Sequence, residues 1–365
     1  MYGTIEKIKN SYKGVFVSSI ISIISISLSD YIGVQLLGFT KSPISSVVIA
    51  IIIGIAIGNS INLPNDLDKG LRFSTKEILR FGIILMGIRI GLSDMIVYGS
   101  ESLLIVGPSI LLIITLTRIS NRFINLPNKL TTLITVGTSI CGATAIIATA
   151  PVIGAKKEEI AYAIANITLF GLFAMIFYPQ IINIFYPHDP ISAGIFLGSS
   201  IHETAQVAGA GMIYSDQFSQ GDVLDISTIT KLIRNAAMII VIPYFSFQFI
   251  DDKNQNKGAS LSHFLSTFPM FIIGFISLGI IRSVGDMGIM ESDLAFGYLN
   301  PQQWDNLVIS TGKVSKFALI VAMSAVGMTI KISSLKKIGF KAFYYGFALS
   351  FLVGFLSIVL IELLL

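Results

Sequence analysis

Long uncharged runs of apolar residues alternate with short polar segments along most of the 365-residue chain. Each run approaches or exceeds the ~20 residues that a helix needs to cross the hydrocarbon core of a bilayer. The pattern therefore predicts an all-α polytopic membrane protein, with the lipid bilayer as its partner. The clearest runs are residues 14–29, 43–59, 102–117, 160–187, 235–250, 264–281 and 342–361.

Composition agrees with this pattern. Hydrophobic residues make up 53% of the chain and charged residues only 13%, whereas soluble domains contain about 25% charged residues. Cys141 is the only cysteine, so an intramolecular disulfide is impossible. No linker or soluble domain interrupts the apolar runs, and we therefore predict a single transmembrane domain over residues 1–365.

The distribution of basic residues predicts the orientation. Lysine and arginine cluster near the N-terminus, in residues 118–129 and in residues 331–341, whereas acidic loops lie elsewhere. Because cytoplasmic loops carry an excess of basic residues, this distribution places the N-terminus and the other two basic segments in the cytoplasm.

Two pairs of similar segments indicate an internal repeat. Residues 80–93 resemble 316–329, and "GTSICGATA" (137–145) resembles "GSSIHETAQ" (198–206). The order of the four segments fits a second half that is circularly permuted. The predicted division is an extra N-terminal helix (1–42), a first repeat (43–187) and a second repeat (190–365).

The repeats also bear on the number of crossings. If residues 130–153 and 190–213 are re-entrant hairpins, every pair of repeat elements becomes antiparallel, as in the inverted repeats of many transporters. The resulting fold has about nine crossings and two opposed hairpins. The alternative, in which both segments cross fully, has eleven crossings.

The hairpin tips are the predicted substrate site. Irregular backbone at membrane depth occurs where it lines a cavity or is buried in protein, and glycine permits the chain reversal. Hydroxyl side chains flank the glycines, and the N-terminus of each following half-helix attracts anions. Small residues that only permit close helix packing are the alternative. The predicted substrate-binding residues are Thr138, Ser139, Cys141, Gly142, Ser199, Ser200, His202, Glu203, Gln206 and Arg89.

Four segments resemble the YeiH family of bacterial inner-membrane proteins, which is usually labelled a family of sulfate exporters. The resemblance extends over about residues 43–340. It implies a broken-helix, inverted-repeat transporter in the bacterial inner (cytoplasmic) membrane, with sulfite or sulfate as the expected cargo and export as the expected direction. The segments are "LRFGIILMGIRIGL" (79–92), "GTSICGATAIIATAPVIGAKKEEIAYAIANITLFG" (137–171), "GSSIHETAQVAGAG" (198–211) and "TKLIRNAAMI" (230–239).

Charged residues within the apolar segments are further candidates, because intramembrane charges usually face a cavity or a partner. Arg89 lies about one turn from the predicted outer end of its helix. It therefore either has a functional role or extends its side chain to the membrane–water interface. Lys231 and Arg234 either serve the site or pair with Asp222 or Asp225. Cys141 is interpreted as lining the site without a redox role.

Glu203 and His202 are the predicted coupling residues. A carboxylate beside an anion site repels a doubly charged substrate unless it is protonated, so Glu203 would take up a proton as the anion binds. His202 is the expected charged neighbour. The alternative is that Glu203 caps the first turn of its own half-helix, where a negative charge is favourable.

Other function classes are less well supported. His202-Glu203 begins like the zinc motif H-E-x-x-H, but Gln206 replaces the second histidine, so an intramembrane metalloprotease is a remote alternative. A sodium- or proton-coupled carrier of an organic anion is the main competitor within transport. No enzymatic activity, metal, cofactor or nucleic-acid partner is predicted, and a homodimer is expected only by analogy with elevator carriers.

Overall fold

The computed structural model describes residues 11–38, 42, 44–61, 63–120, 123–124, 126–249, 270–330 and 340–365. In these ranges the chain is helical and contains no strand. The α-helices are α1 (Tyr12–Asp30), α2 (Ser46–Ser60), α3 (Asn65–Phe73), α4 (Leu79–Met86), α5 (Leu92–Ser120), α6 (Asn128–Ser139), α7 (Ala143–Thr149), α8 (Lys157–Phe185), α9 (Pro190–Ser200), α10 (Thr204–Phe218), α11 (Asp222–Ala236), α12 (Met238–Gln248), α13 (Phe271–Ser292), α14 (Pro301–Thr329) and α15 (Phe340–Leu364).

Short irregular turns extend three of these helices. A π-helical turn, Tyr31–Leu36, continues α1. A second π-helical turn, Ser74–Ile78, joins α3 to α4, and a 3₁₀ turn, Gly87–Arg89, ends α4. The chain from Asn65 to Arg89 is therefore one nearly continuous helical segment.

Among the described residues, seven helical segments are long and apolar enough to cross a membrane, which confirms the predicted polytopic helical fold. The shorter apolar helix α2 accompanies them. The predicted total of nine crossings stays a prediction. The seven segments are Tyr12–Leu36, Leu92–Ser120, Lys157–Phe185, Asp222–Phe245, Phe271–Ser292, Pro301–Thr329 and Phe340–Leu364.

Two of the predicted runs correspond to helices that are shifted by several residues along the chain. The run 235–250 lies in the segment Asp222–Phe245, which begins earlier because Lys231 and Arg234 are buried inside the protein rather than excluded from the helix. The run 264–281 corresponds to α13, which extends beyond it to Ser292. Residues 264–269 lie outside the described residues.

The chain forms two compact units. The first comprises Met1–Val97, Gly211–Asp225 and Met270–Ile332; the second comprises Tyr98–Ala210, Ile226–Pro269 and Ser333–Leu365. The division into repeats at 43–187 and 190–365 stays a prediction.

In the first unit, α2 and α14 pack at close range. A Cβ atom on Gly54 would lie 2.5 Å from the carbonyl oxygen of Ser324, and one on Gly327 would lie 2.5 Å from that of Ile51. Small residues are what allow two helix backbones to approach so closely within a membrane. At its start, α14 has a capping box between Asn300 and Gln303, with Pro301 at the first helical position.

The second unit contains both predicted helix breaks. The first lies between α6 and α7, and the second between α9 and α10. A core of buried apolar residues from α6, α7, α8, α12 and α15 packs around the first break, including Leu133, Ile146, Ile167 and Met238. The Asp189 side chain starts α9 by accepting hydrogen bonds from the backbone N–H groups of Ile191 and Ser192.

Candidate functional site

The first helix break depends on glycine. Gly142 has φ +68° and ψ −130°, a conformation that residues with a Cβ atom rarely adopt. It lies between the end of α6 at Ser139 and the start of α7 at Ala143. The predicted chain reversal at this tip is therefore present.

The second break uses extended backbone instead. Ile201 has φ −81° and ψ 142°, which ends α9, and α10 begins at Thr204. The backbone N–H of Glu203 donates to Oε1 of Gln206 at 3.2 Å, which is half of a capping box at the new helix start. Local sequence therefore explains both breaks. The first depends on a glycine with a positive φ, and the second on extended backbone followed by half of a capping box.

Lys231 on α11 joins the two breaks. Its Nζ donates to the carbonyl oxygens of Ile140 at 2.7 Å and of Ile201 at 2.9 Å, and also to that of His202. An ammonium group has three hydrogens, so these three carbonyls use all of them. The side chain is fully buried. Lys231 therefore supplies the hydrogen bonds that the unwound backbone lacks.

Arg234 lies one turn further along α11 and binds the same region. Its Nε donates to the carbonyl oxygen of Ser139 at 2.8 Å, one terminal nitrogen to that of Ile201 at 2.9 Å, and the other to that of Thr138. A guanidinium has five N–H donors, and these bonds use three. Its side chain is 2% exposed.

Of the two alternatives for Lys231 and Arg234, these contacts favour a place at the helix breaks over pairing with Asp222 or Asp225. Both cations bind backbone carbonyls at the C-terminal ends of half-helices, where positive charge is favourable. Asp225 instead pairs with Arg89. The two breaks, residues 138–144 and 199–206, together with Lys231 and Arg234 are called the broken-helix site below.

The carboxylate of Glu203 reaches across to the other break. Its Oε1 accepts a hydrogen bond from Oγ1 of Thr168 at 3.2 Å, and the carboxylate also bonds the backbone N–H of Ala143. A Cβ atom on Gly142 would overlap Cγ of Glu203. Glu203 therefore caps the first turn of the neighbouring half-helix, α7, rather than its own.

The side chains next to Glu203 are bound within the protein. Nε2 of His202 lies 2.6 Å from Oγ of Ser350, and its Nδ1 is buried without a partner among the described residues. Nε2 of Gln206 donates to the carbonyl oxygen of Thr168 at 3.2 Å. No group of three or more His, Cys, Asp or Glu side chains that could hold a metal occurs in the described part of the chain.

The predicted hydroxyl ligands differ in their contacts. Ser139 donates to the carbonyl oxygen of Thr135 at 2.7 Å, and Ser200 to that of Phe196 at 2.6 Å. A hydroxyl has one hydrogen, so neither serine can also donate to an anion in this conformation. Ser199 approaches Ser357 on α15, with 3.0 Å between the hydroxyl oxygens.

Two other predicted site residues lie beside these serines. The hydroxyl of Thr138 is buried and has no hydrogen-bond partner among the described residues. Cys141 is 6% exposed, and its Sγ lies 3.3 Å from Sδ of Met238. Thr138 therefore has a hydroxyl still available to a ligand. The contribution of each predicted side chain to substrate binding stays a prediction.

The accessible surface of the broken-helix site lies at the N-terminal ends of its half-helices. Thr144 is exposed, and Ala143, Glu203 and Thr204 are partly exposed. Residues 138–142 and 199–202, at the C-terminal ends, are buried. A solute that reaches the site therefore meets backbone N–H groups and the Glu203 carboxylate.

Arg89 belongs to the first unit, whereas the other predicted site residues belong to the second. It ends the 3₁₀ turn after α4, and one terminal nitrogen lies 3.2 Å from Oδ2 of Asp225. Its side chain is 30% exposed and lines a cavity of the first unit.

Sequence reasoning missed the scaffold of the site. Thr168 and Ser350, which bind Glu203 and His202, gave no signal because a lone hydroxyl in an apolar helix is common. Lys231 and Arg234 did give a sequence signal, because residues at positions i and i+3 lie on the same face of a helix. Two cations on one face of a membrane helix require internal partners, and unwound backbone is the obvious source of acceptors.

Comparison with known proteins places the chain in a family. A sequence profile described as "Conserved hypothetical protein 698" matches residues 13–346. The chain belongs to this family, which is the YeiH-type family of UPF0324 membrane proteins. No solved structure matches the chain.

Relatives in the YeiH-type family align over nearly the whole chain. A UPF0324 membrane protein of Fusobacterium nucleatum subsp. nucleatum is 33% identical over 322 residues, 87% of this chain and 89% of the relative. UPF0324 membrane proteins of Clostridium tetani and Streptococcus pneumoniae R6 are each 29% identical, the first over 96% of both chains and the second over 91% of both. These descriptions name a membrane protein and no substrate.

Proposed function

We propose that the chain is a secondary transporter that binds a small anion of the sulfite or sulfate class at the broken-helix site. The observation that supports it is the charge balance of that site. Lys231 and Arg234 carry two positive charges against the single carboxylate of Glu203. The accessible N-terminal ends of α7 and α10 also favour negative charge. Such a region carries a net positive charge, and it attracts anions most strongly when Glu203 is protonated.

Unpartnered polar groups support a ligand at this place. The Thr138 hydroxyl, Nδ1 of His202 and Oδ1 of Asn235 are buried without partners among the described residues. Buried polar atoms are usually hydrogen-bonded, so each exception suggests a missing partner. Two N–H groups of Arg234 are also unused by the three carbonyls that it binds. An oxyanion with bound water can satisfy donors and acceptors together.

The first prediction is an anion flux. Protein in liposomes should move radiolabelled sulfite or sulfate faster than protein-free liposomes and faster than the Lys231→Met variant, because that variant lacks a central cation of the site. Thiosulfate, taurine and bicarbonate complete the panel. Transport of organic anions alone would favour the organic-anion carrier, and exchange of sodium or potassium for protons without anion flux would contradict the proposal.

The second prediction concerns proton coupling through Glu203, the one charged group of the broken-helix site with accessible surface. We expect Glu203→Gln to bind the anion but to lose the pH dependence of transport and any accumulation driven by a pH gradient. Glutamine keeps the size of the side chain and cannot exchange a proton. Flux is measured in liposomes with and without an imposed pH gradient.

The matched control is Glu158→Gln, an exposed glutamate in the first turn of α8. This variant should accumulate anion like the wild type. If Glu203→Gln does so too, then Glu203 is a structural cap of α7 and the coupling proton is carried elsewhere.

Orientation and direction complete the proposal. The basic segments support a cytoplasmic N-terminus. Location in the bacterial inner membrane and export as the direction of transport are proposed from the resemblance to the YeiH family. A Lys157→Cys reporter in a Cys141→Ser background should then react with impermeant reagents only from the cytoplasmic side. Reaction from the outside would instead favour the eleven-crossing alternative, in which residues 130–153 cross the membrane fully.

A further inference from the structure

A second group of charged residues lies around a cavity in the first unit. The cavity has a volume of about 500 Å³ and is bounded by the turn after α4, the residues from the end of α10 to the start of α11, and the middle of α14. Three cations line it: Arg89, Lys313 and Lys316. Asp216 is the only carboxylate among its lining residues. We call it the Lys313 cavity.

Lys313 lies too deep in its helix to reach either end. It follows Pro301 by twelve residues and precedes Thr329 by sixteen, which places it about 18 Å and 24 Å from the two helix ends at 1.5 Å per residue. An intramembrane charge at that depth faces a partner or a polar cavity. Lys313 lines the cavity and is exposed within it.

The charges around the cavity do not cancel. Arg89 pairs with Asp225 at 3.2 Å, and Lys316 pairs with Asp216 at 2.7 Å. Asp216 also accepts a hydrogen bond from the hydroxyl of Ser45 at 3.3 Å. Lys313 has no hydrogen bond or ion pair with any described residue, so one positive charge is left over at the cavity.

A neighbouring cavity of about 300 Å³ shares Asp216, Lys313 and Lys316 but is also lined by Asp30. Asp30 forms no ion pair with Lys313, but it adds a second carboxylate to the lining of this smaller cavity. The Lys313 cavity, which is lined by three cations and one carboxylate, is therefore the more favourable place for an anion. Its remaining walls include apolar side chains, among them Met212 and Val308, and low-dielectric walls strengthen the field of a cation.

We propose that the Lys313 cavity is a second anion site, which binds a small oxyanion through the ammonium group of Lys313. Its volume lies in the range of small-molecule sites and can hold a hydrated sulfate-sized ion. Asp216 limits the affinity, because it neutralises Lys316 and repels an anion. None of these residues belongs to the broken-helix site, so the inference goes beyond the proposed function and stands without it.

Equilibrium binding of radiolabelled sulfate to purified protein in lipid-free detergent tests the proposal. Lys313→Gln should remove one class of binding site or weaken it roughly tenfold to a hundredfold, the effect of losing a hydrogen bond to a charged group. Lys313→Arg should retain that site. Lys76→Gln, at an exposed lysine of the same unit outside the cavity, should bind like the wild type.

A second variant, Asp216→Asn, should change the affinity for sulfate in the opposite direction. Asp216→Asn keeps an oxygen for the Ser45 hydroxyl but releases Lys316, so sulfate should bind several-fold more tightly. Weaker binding in Asp216→Asn would overturn the proposal, as would equal binding in Lys313→Gln and Lys76→Gln or no sulfate binding by the wild type. These readouts depend on the Lys313 cavity alone, so they separate its failure from failure of the transport proposal.

The source of the oxyanion is tested in the same assay. Phosphatidylglycerol and phosphatidylcholine are added separately as competitors of sulfate. Competition by the anionic lipid alone, lost in Lys313→Gln, identifies a lipid headgroup phosphate as the oxyanion. Absence of competition, with the Lys313 dependence intact, identifies a free anion. Equal competition in the wild type and in Lys313→Gln would contradict a Lys313 site.

Discussion

Replacing Lys231 by methionine is expected to destabilise the protein more than replacing any exposed lysine, and to abolish transport. Methionine has a similar length but no hydrogen to donate, so the carbonyl oxygens of Ile140 and His202 lose the Lys231 donor, whereas that of Ile201 keeps its hydrogen bond from Arg234. Each buried acceptor left without a partner costs about 1–3 kcal/mol. With two such acceptors, the expected loss of stability is on the order of 2 kcal/mol or more.

Thermal denaturation in detergent measures this effect. Lys157→Met, at an exposed lysine in the first turn of α8, is the matched control and should denature near the wild-type temperature. Lys231→Arg should fall between them, because a planar guanidinium keeps the charge but cannot direct its hydrogens like an ammonium group. Equal denaturation temperatures for Lys231→Met and Lys157→Met would show that Lys231 does not hold the two breaks together.

Most of the helical architecture could be predicted from sequence because it depends on local composition. An apolar run of about twenty residues leaves the backbone no alternative to a helix in lipid. The breaks were also predictable, since Gly142 and the hydroxyl residues around it are poor continuations of a helix. The segments 137–145 and 198–206, which were paired by similarity alone, both contain a break at the same relative position.

The contacts that build the broken-helix site could not be predicted in the same way. Lys231 binds a carbonyl 91 residues away in sequence, and Arg234 binds one 95 residues away. The pattern of residues around Lys231 and Arg234 gives no information about contacts with residues so far away in the sequence. Nearby aspartates are therefore the partners that the local sequence suggests as one alternative, whereas in the structure the unwound backbone provides the acceptors.

The hydroxyl residues illustrate the same limit. Sequence analysis treated Thr138, Ser139, Ser199 and Ser200 as equivalent ligands. In the structure, Ser139 and Ser200 donate to carbonyls four residues earlier in their own helices, a common local alternative for serine. The threonines at the half-helix starts, the exposed Thr144 and the partly exposed Thr204, are better placed to meet a solute.

Replacing Gly142 by alanine is expected to displace Glu203 and to abolish proton-coupled transport. The new Cβ would overlap Cγ of Glu203, the side chain that caps α7. The backbone conformation at Gly142 adds strain of about 1–3 kcal/mol for a residue with a Cβ atom. Stability in detergent and anion accumulation under a pH gradient should therefore both fall.

Gly154→Ala is the matched control for strain. Gly154 also has a positive φ, +63°, but a Cβ there would meet only Nζ of Lys129 at 3.4 Å, an ordinary contact. This variant should lose some stability and keep its transport. Comparison of the two alanine variants separates the strain of a positive φ from displacement of Glu203.

A double-mutant cycle with Glu203→Ala isolates the contact itself. Alanine at 203 has no Cγ, so Gly142→Ala in that background should cost only the backbone strain. The difference between the two backgrounds is the coupling energy, which for contacting residues is about 0.5–3 kcal/mol. A coupling near zero would mean that Glu203 does not lie over Gly142 in the folded protein. A clear coupling would establish that Glu203 lies against Gly142 in the folded protein, the contact that capping of α7 by its carboxylate requires.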